Sequence, residues 1–184
     1  MVRKKVYKRE HILKSAFEVL QKNGFSGLTA RNVADHMGIS TQPIYLEFEN
    51  MEDLKMTLLN SIYDDLASGV FACKTTSDAA LNFGFNFIDF AKKNTNIFIA
   101  LYTEQHGYGD EIKAHTFKHF LKHIKNDEQY TALSEKDCEK IHNSLLVVAS
   151  GIASMSLSGI IAPSQKQISE LLEKTIQAVG WRNN

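Results

Sequence analysis

Apolar residues at Ile12, Leu13, Ala16, Phe17, Val19 and Leu20 recur with helical period, and the NGF triplet at 23–25 supplies a glycine stop. The pattern predicts a first helix over about 7–23. Thr29 then opens a short second helix whose inward face is Val33, Ala34 and Met37, with Gly38 placed to take the positive φ that ends it. Ser40 is expected to cap a third helix with Pro43 in its first turn, where a missing N–H costs nothing. Ala34 is small where the two helices would cross, and Ile39, Ile44 and Phe48 are assigned to the underside. Two short helices joined by three residues make a helix-turn-helix candidate.

Asn50, with Asp53 three residues on, opens a long fourth helix on which Leu54, Leu58, Ile62 and Leu66 share a face. No Pro-, Gly- or Ser-rich linker precedes it, so a helix, and not a tether, joins an N-terminal unit of residues 1–48 to a helical body of 49–184. Further helices are predicted over about 76–93, 95–104, 110–125, 135–158 and 165–180. Thr75, with Asp78 in the box position, starts the first of these, and Ser134/Asp137 and Ser164/Gln167 cap the last two. Phe83, Phe87 and Phe90 lie on one face of the 76–93 helix while Leu81, Phe85 and Ile88 lie on another, which makes it central in its domain. No strand and no internal repeat is read, and the predicted fold class is all-α.

At 184 residues with two prolines and 43% hydrophobic residues, the chain is long enough for an apolar core and too ordered in composition for a disordered tail. Its net charge of zero hides an asymmetry. Residues 1–31 carry eight basic side chains against two acidic ones, and the rest carry 13 against 19, so the ends differ as +6 and −6. Such a basic end suits a polyanion. Yet between Asn32 and Leu54 there is no Lys or Arg, and there are five acids: Asp35, Glu47, Glu49, Glu52 and Asp53.

Cys73 and Cys138 are isolated and read as reduced packing residues of a cytoplasmic protein, and the N-terminus lacks the apolar core of a signal peptide. Residues 143–165 carry no charge, but six serines and two glycines argue against a membrane span. No GxSxG, HExxH, P-loop or paired-cysteine signature is present, so no enzyme activity and no cofactor is expected.

The stretch ILKSAFEVLQKNGFSGLTARNVADHMGISTQPIYLEFENMEDL, 12–54, resembles the N-terminal DNA-binding domain of TetR-type transcriptional regulators. Gly24-Phe25, Thr29, Val33-Ala34, Gly38-Ile39-Ser40, Ile44-Tyr45, Phe48 and Leu54 carry the resemblance together. It implies three short helices forming a DNA-binding domain, a connecting helix, and a helical effector-binding and dimerisation domain. The chain departs from the family at Thr41 and Met51, where lysines are common, and at Leu46 and Glu47, where aromatics or His often stand.

The resemblance implies a double-stranded DNA operator, near-palindromic and bound by a homodimer that acts as a repressor. Phosphate contacts are assigned to Arg3, Lys4, Lys5 and Lys8 of the basic arm and to Thr29, Tyr45 and Lys55, which match backbone-approaching positions of the family. Base contacts are assigned to Arg31, Thr41, Gln42 and Pro43; Gln can pair with adenine, and Pro43 or the Thr41 methyl can meet a thymine methyl. The alternative is a related regulator or coactivator that works mainly through a protein partner docked on the acidic face.

A small-molecule effector of unknown identity is likewise expected by resemblance, with Phe83, Phe87, Phe90, Phe98, Tyr102, Phe117 and Phe120 as candidate wall residues and His106 or Tyr102 as polar fixers. The dimer the family implies would use Leu145, Val148, Ala149, Ile152 and Met155 against Ile168, Leu172 and Ile176, or these residues form intramolecular core. His115, His119 and His123 stand four apart on one helix side; they make either a metal-binding edge or a polar boundary stripe, and without an adjacent carboxylate or cysteine no metal is assigned.

Overall fold

A computed structural model of the chain describes residues 7–179. The described residues form α-helices and short 3-10 turns with no strand, so the all-α expectation holds. The helices are α1 (Arg9–Gly27), α2 (Ala30–Met37), α3 (Gln42–Glu47), α4 (Met51–Ser68), α5 (Ala79–Lys93), α6 (Thr95–Tyr102), α7 (Gly109–Ile124), α8 (Glu135–Leu157) and α9 (Gln165–Ala178). No helix among the described residues is long and apolar enough to cross a membrane.

The chain divides into two compact units. One runs up to Asp64 and takes in Asn96–Gly107; the other comprises Asp65–Thr95 and the chain from Tyr108 onward. In the first unit α1 packs on α2 and α3 through Ile12, Ala16, Val19 and Leu20, which are buried as their spacing predicts. Gly38 sits at φ 66° and closes α2, so its placement in the turn needs the left-handed region that glycine enters without strain. Gly24, at φ 65°, breaks α1 without ending it, and the helix resumes to Gly27. The Glu104 carboxylate lies where a Gly24 side chain would stand and accepts a 2.9 Å bond from the Phe25 N–H, so the loop after α6 is seated on this break.

Two expected caps are corrected. Ser40 does not cap α3: the helix starts one residue later, behind Thr41 in an αR conformation with no side-chain cap bond. The Thr41 carbonyl ties its first turn, accepting from Ile44 N at 3.1 Å and Tyr45 N at 3.4 Å. Likewise Thr75 does not start α5. Asp78 does, accepting from Ala80 N at 2.9 Å and Leu81 N at 3.1 Å, while Thr75 and Thr76 are drawn back onto the Asn82 side chain. The other caps stand as read: Thr29 on Asn32 N, Asn50 on Asp53 N, Ser134 on Asp137 N, and a reciprocal Ser164–Gln167 box.

The second unit is built around α5, which packs on α7, α8 and α9 and buries Ala80, Leu81, Phe83, Phe87, Ile88, Phe90 and Ala91. The start of α5 is held twice. Asp127 accepts the Ala79 N–H at 2.8 Å, and the buried Tyr130 hydroxyl donates to both Asp78 oxygens at 2.9 and 3.0 Å. A carboxylate buried on this scale depends on such partners. Tyr130→Phe is therefore expected to lower stability by about 1.5–3 kcal/mol, read as a shifted urea midpoint at unchanged slope.

Candidate nucleic-acid interface and effector cavity

The outward side of α3 is set by what its inward side buries. Ile44 and Phe48 are 1% and 2% exposed, so Thr41, Gln42, Tyr45 and Leu46 are turned to solvent and Pro43 is half-buried. Leu46 is 77% exposed and Tyr45 51%, an unusual apolar offering for a free surface. Thr29 is exposed but its hydroxyl already accepts from Asn32 N at 3.2 Å. Arg31 projects freely and lies only 3.8 Å from Asp35, an exposed pair that a phosphate could readily replace. Lys8 is exposed ahead of α1, Lys55 is half-buried on α4, and Arg3, Lys4 and Lys5 lie outside the described residues.

The acids that contradicted a DNA-facing role are in part used within the unit. Asp35 faces Arg31, and Asp53 accepts from the Glu49 N–H at 3.1 Å and lies 3.3 Å from Arg9. That backbone N–H, then the Arg9 charge, holds the Asp53 carboxyl below the usual range. His36 lies 3.2 Å from Glu18. Arg9 was not singled out from sequence, because its partners are 38–48 residues away and no local spacing marks them.

The expected wall residues fall into both units. Phe98, Tyr102 and His106 belong to the first: Phe98 stacks on Tyr102 at 5.6 Å, the Tyr63 and Tyr102 hydroxyls meet at 2.7 Å, and His106 packs on Phe25 at 4.7 Å. Burial pushes both phenols well above their ordinary range. Phe83, Phe87, Phe90, Phe117 and Phe120 belong to the second unit. Phe87 and Phe90 are fully buried core, whereas Phe83 and Phe120 form, with Phe71, the apolar wall of a cavity of about 610 Å³. The cavity lies between the 71–79 strap, the C-terminal half of α7 and residues 126–129. Asn86 holds the strap by donating to the Cys73 carbonyl at 2.8 Å, and Asn82 does so by accepting the Thr75 and Thr76 N–H groups.

His119 and His123 also line this cavity, with rings 5.4 Å apart. Burial lowers both pKa values, helped at His119 by His123, Lys122 and Lys118 and at His123 by Lys122 and Lys74, which favours neutral imidazoles. Among the described residues no group of three His, Cys, Asp or Glu side chains is placed to hold a metal ion. Cys138 is buried as read, but Cys73 is exposed at the cavity edge and not a packing residue, because the strap that carries it runs outside the helices.

Sequence reasoning also passed over His142. It is fully buried on α8 between the rings of Phe83, Phe117 and Phe120 at 5.3–5.4 Å, with Nε2 3.2 Å from the Thr116 hydroxyl. Its position four before the half-buried Leu146 and four after Cys138 was the available signal. On the same helix Leu145, Ala149 and Ile152 are buried within the chain, as are Ile168, Leu172 and Ile176 on α9. Val148 is half-buried, and the outward apolar residues of α8 and α9 are Val147, Met155, Leu157 and Leu171, beside Gly151 and Ser154.

Residues 12–55 match the family described as bacterial regulatory proteins, tetR family. Three solved structures are similar over nearly the whole chain. A TetR-family protein from Vibrio parahaemolyticus is 16% identical at TM-score 0.66, with 94% of this chain and 98% of that one covered. The transcriptional regulator FadR from Bacillus subtilis, solved with stearoyl-CoA, is 14% identical at TM-score 0.63, covering 94% and 97%. The fatty acid degradation regulator FadR from Bacillus halodurans is 16% identical at TM-score 0.61, covering 99% and 100%. No curated protein matches the chain. The N-terminal helices therefore match the tetR-family model over residues 12–55, and the whole chain has the fold of TetR-family transcriptional regulators.

Burial pushes the His142 pKa down to about 4, so between roughly pH 6.5 and 4 the unfolded chain binds a proton that the folded chain refuses. Stability is thus expected to fall as pH drops through that window, by up to about 3 kcal/mol, and to level off below it. Urea unfolding at several pH values checks this: His142→Leu should remove that part of the pH dependence.

Proposed function

We propose that this chain is a cytoplasmic, homodimeric repressor that binds a near-palindromic operator through α3 of each subunit and releases it on binding a small-molecule effector. The outward set of α3 carries this reading: Thr41, Gln42 and Pro43 form a base-reading edge, with Tyr45 outward beside them, on a helix whose other side is anchored. These groups act at hydrogen-bond or contact range and supply no long-range attraction. Attraction is assigned to Arg3, Lys4, Lys5, Lys8 and Arg31, with Thr29, Tyr45 and Lys55 beside phosphates.

The effector reading rests on the cavity of about 610 Å³, within the size range of small-molecule sites, with phenylalanine rings on one wall and polar groups at its edge. Effector binding would shift α4, which runs continuously from Met51 to Ser68, and alter the separation of the two α3 helices. Only a ligand that favours one of the two arrangements can do so. Stearoyl-CoA, carried by the similar Bacillus subtilis regulator, is the first probe to try. For the dimer, Val147, Gly151, Met155 and Leu171 offer outward apolar or small surface on α8 and α9, adjoining the buried Leu145, Ala149, Ile152 and Leu172 row.

Removing residues 1–6 takes away Arg3, Lys4 and Lys5 and leaves α3 untouched. DNA affinity should weaken, and the slope of log affinity against log salt should become shallower by about 0.9 for each phosphate that the arm no longer neutralises. Fluorescence-anisotropy titrations at several salt concentrations measure this; an unchanged slope contradicts the assignment of the arm.

A further inference from the structure

The recognition helix α3 has six residues, too few to persist on its own hydrogen bonds, and its last carbonyls have no partner within the helix. Arg9, in the first turn of α1, reaches them. Its Nη1 donates to the Glu47 carbonyl at 2.6 Å, and its Nη2 donates to Thr57 Oγ1 at 2.8 Å and to Asp53 Oδ1 at 3.3 Å. The guanidinium carbon stands 4.0 Å from the centre of the Phe48 ring. One side chain thus touches the end of α3, the residue that closes it and the first two turns of α4. Asp53 completes the loop by accepting the Glu49 N–H through its other oxygen.

We propose that Arg9 is a positioning residue for DNA reading: it fixes the angle of α3 against α1 and α4, so that Thr41, Gln42 and Pro43 meet base edges in register. Glu47 and Phe48 are clamped from the α1 side by Arg9, and Glu49 from the α4 side by Asp53. A planar fork with several donors is needed to serve a carbonyl, a hydroxyl and a carboxylate while stacking on a ring; a lysine ammonium cannot do all four. With its hydrogen bonds directed inward to this corner, the Arg9 charge is committed to the protein and not to a phosphate. The proposal rests on α3 being the DNA reader, but its structural half can be tested without DNA.

The full chain is compared with Arg9→Gln and Arg9→Lys. In the free proteins, amide hydrogen exchange at Phe48 and Glu49 should quicken by about tenfold or more in both variants, while the amides of α5 keep their protection. With a site selected from random-sequence DNA by the wild-type protein, and sheared DNA of unrelated sequence as the comparison, the ratio of specific to non-specific affinity should fall by about tenfold or more at an unchanged salt slope. A slope shallower by about 0.9 with the ratio preserved would make Arg9 a phosphate contact and overturn the proposal. So would unchanged exchange at Phe48 and Glu49, or a uniform loss of protection across α1, α2 and α3 with both affinities falling in proportion. If the wild type selects no site, the DNA-reading function fails, and the exchange result still decides whether Arg9 holds the corner.

Discussion

A helix of six residues cannot keep its own shape in water, and this constraint governs the N-terminal domain. The outward face of α3 depends on neighbours that hold it: Ile44 and Phe48 buried beneath it, Gly38 turning the chain into it, and the Arg9–Asp53 pair closing its far end. The outward Thr41, Gln42, Tyr45 and Leu46 carry no charge, so they can act only at contact or hydrogen-bond range. Under the proposed function, rigidity in the corner between α3 and α4 serves recognition as well as folding.

That constraint also resolves the acidic character of residues 32–54. A recognition helix without cations looks unsuited to a polyanion only if attraction and discrimination must reside together. Here Asp53 serves the corner and Asp35 faces Arg31, while the basic excess is concentrated before residue 32. Under the proposed function, long-range attraction belongs to the arm and short-range discrimination to α3, with different responses to salt.

Much of the fold was legible in the sequence because helix faces and caps are local. The spacing of Leu54, Leu58, Ile62 and Leu66, the glycine at 38, and the Ser134 and Ser164 caps all stand where local rules put them. Local rules failed where several cap-competent residues are adjacent. Thr75, Thr76 and Asp78 compete for one helix start, and Tyr130, 52 residues away, favours Asp78. The same limit hid Arg9, whose partners lie in α3 and α4, and His142, whose aromatic cage is drawn from α5 and α7. The seven proposed wall aromatics and His106 were chosen by residue type alone; only the tertiary structure separates Phe83 and Phe120 at the cavity from Phe87 and Phe90 in the core.

The central claim is that α3 reads base edges through Thr41, Gln42 and Pro43. Selection of bound sites from random-sequence DNA, carried out in parallel with the wild-type chain and Gln42→Ala, tests it most directly. The account predicts a near-palindromic site for the wild type, and for the variant the same site with preference relaxed at one symmetric pair of positions. Enrichment of no sequence, or an identical preference at every position in both selections, would contradict it.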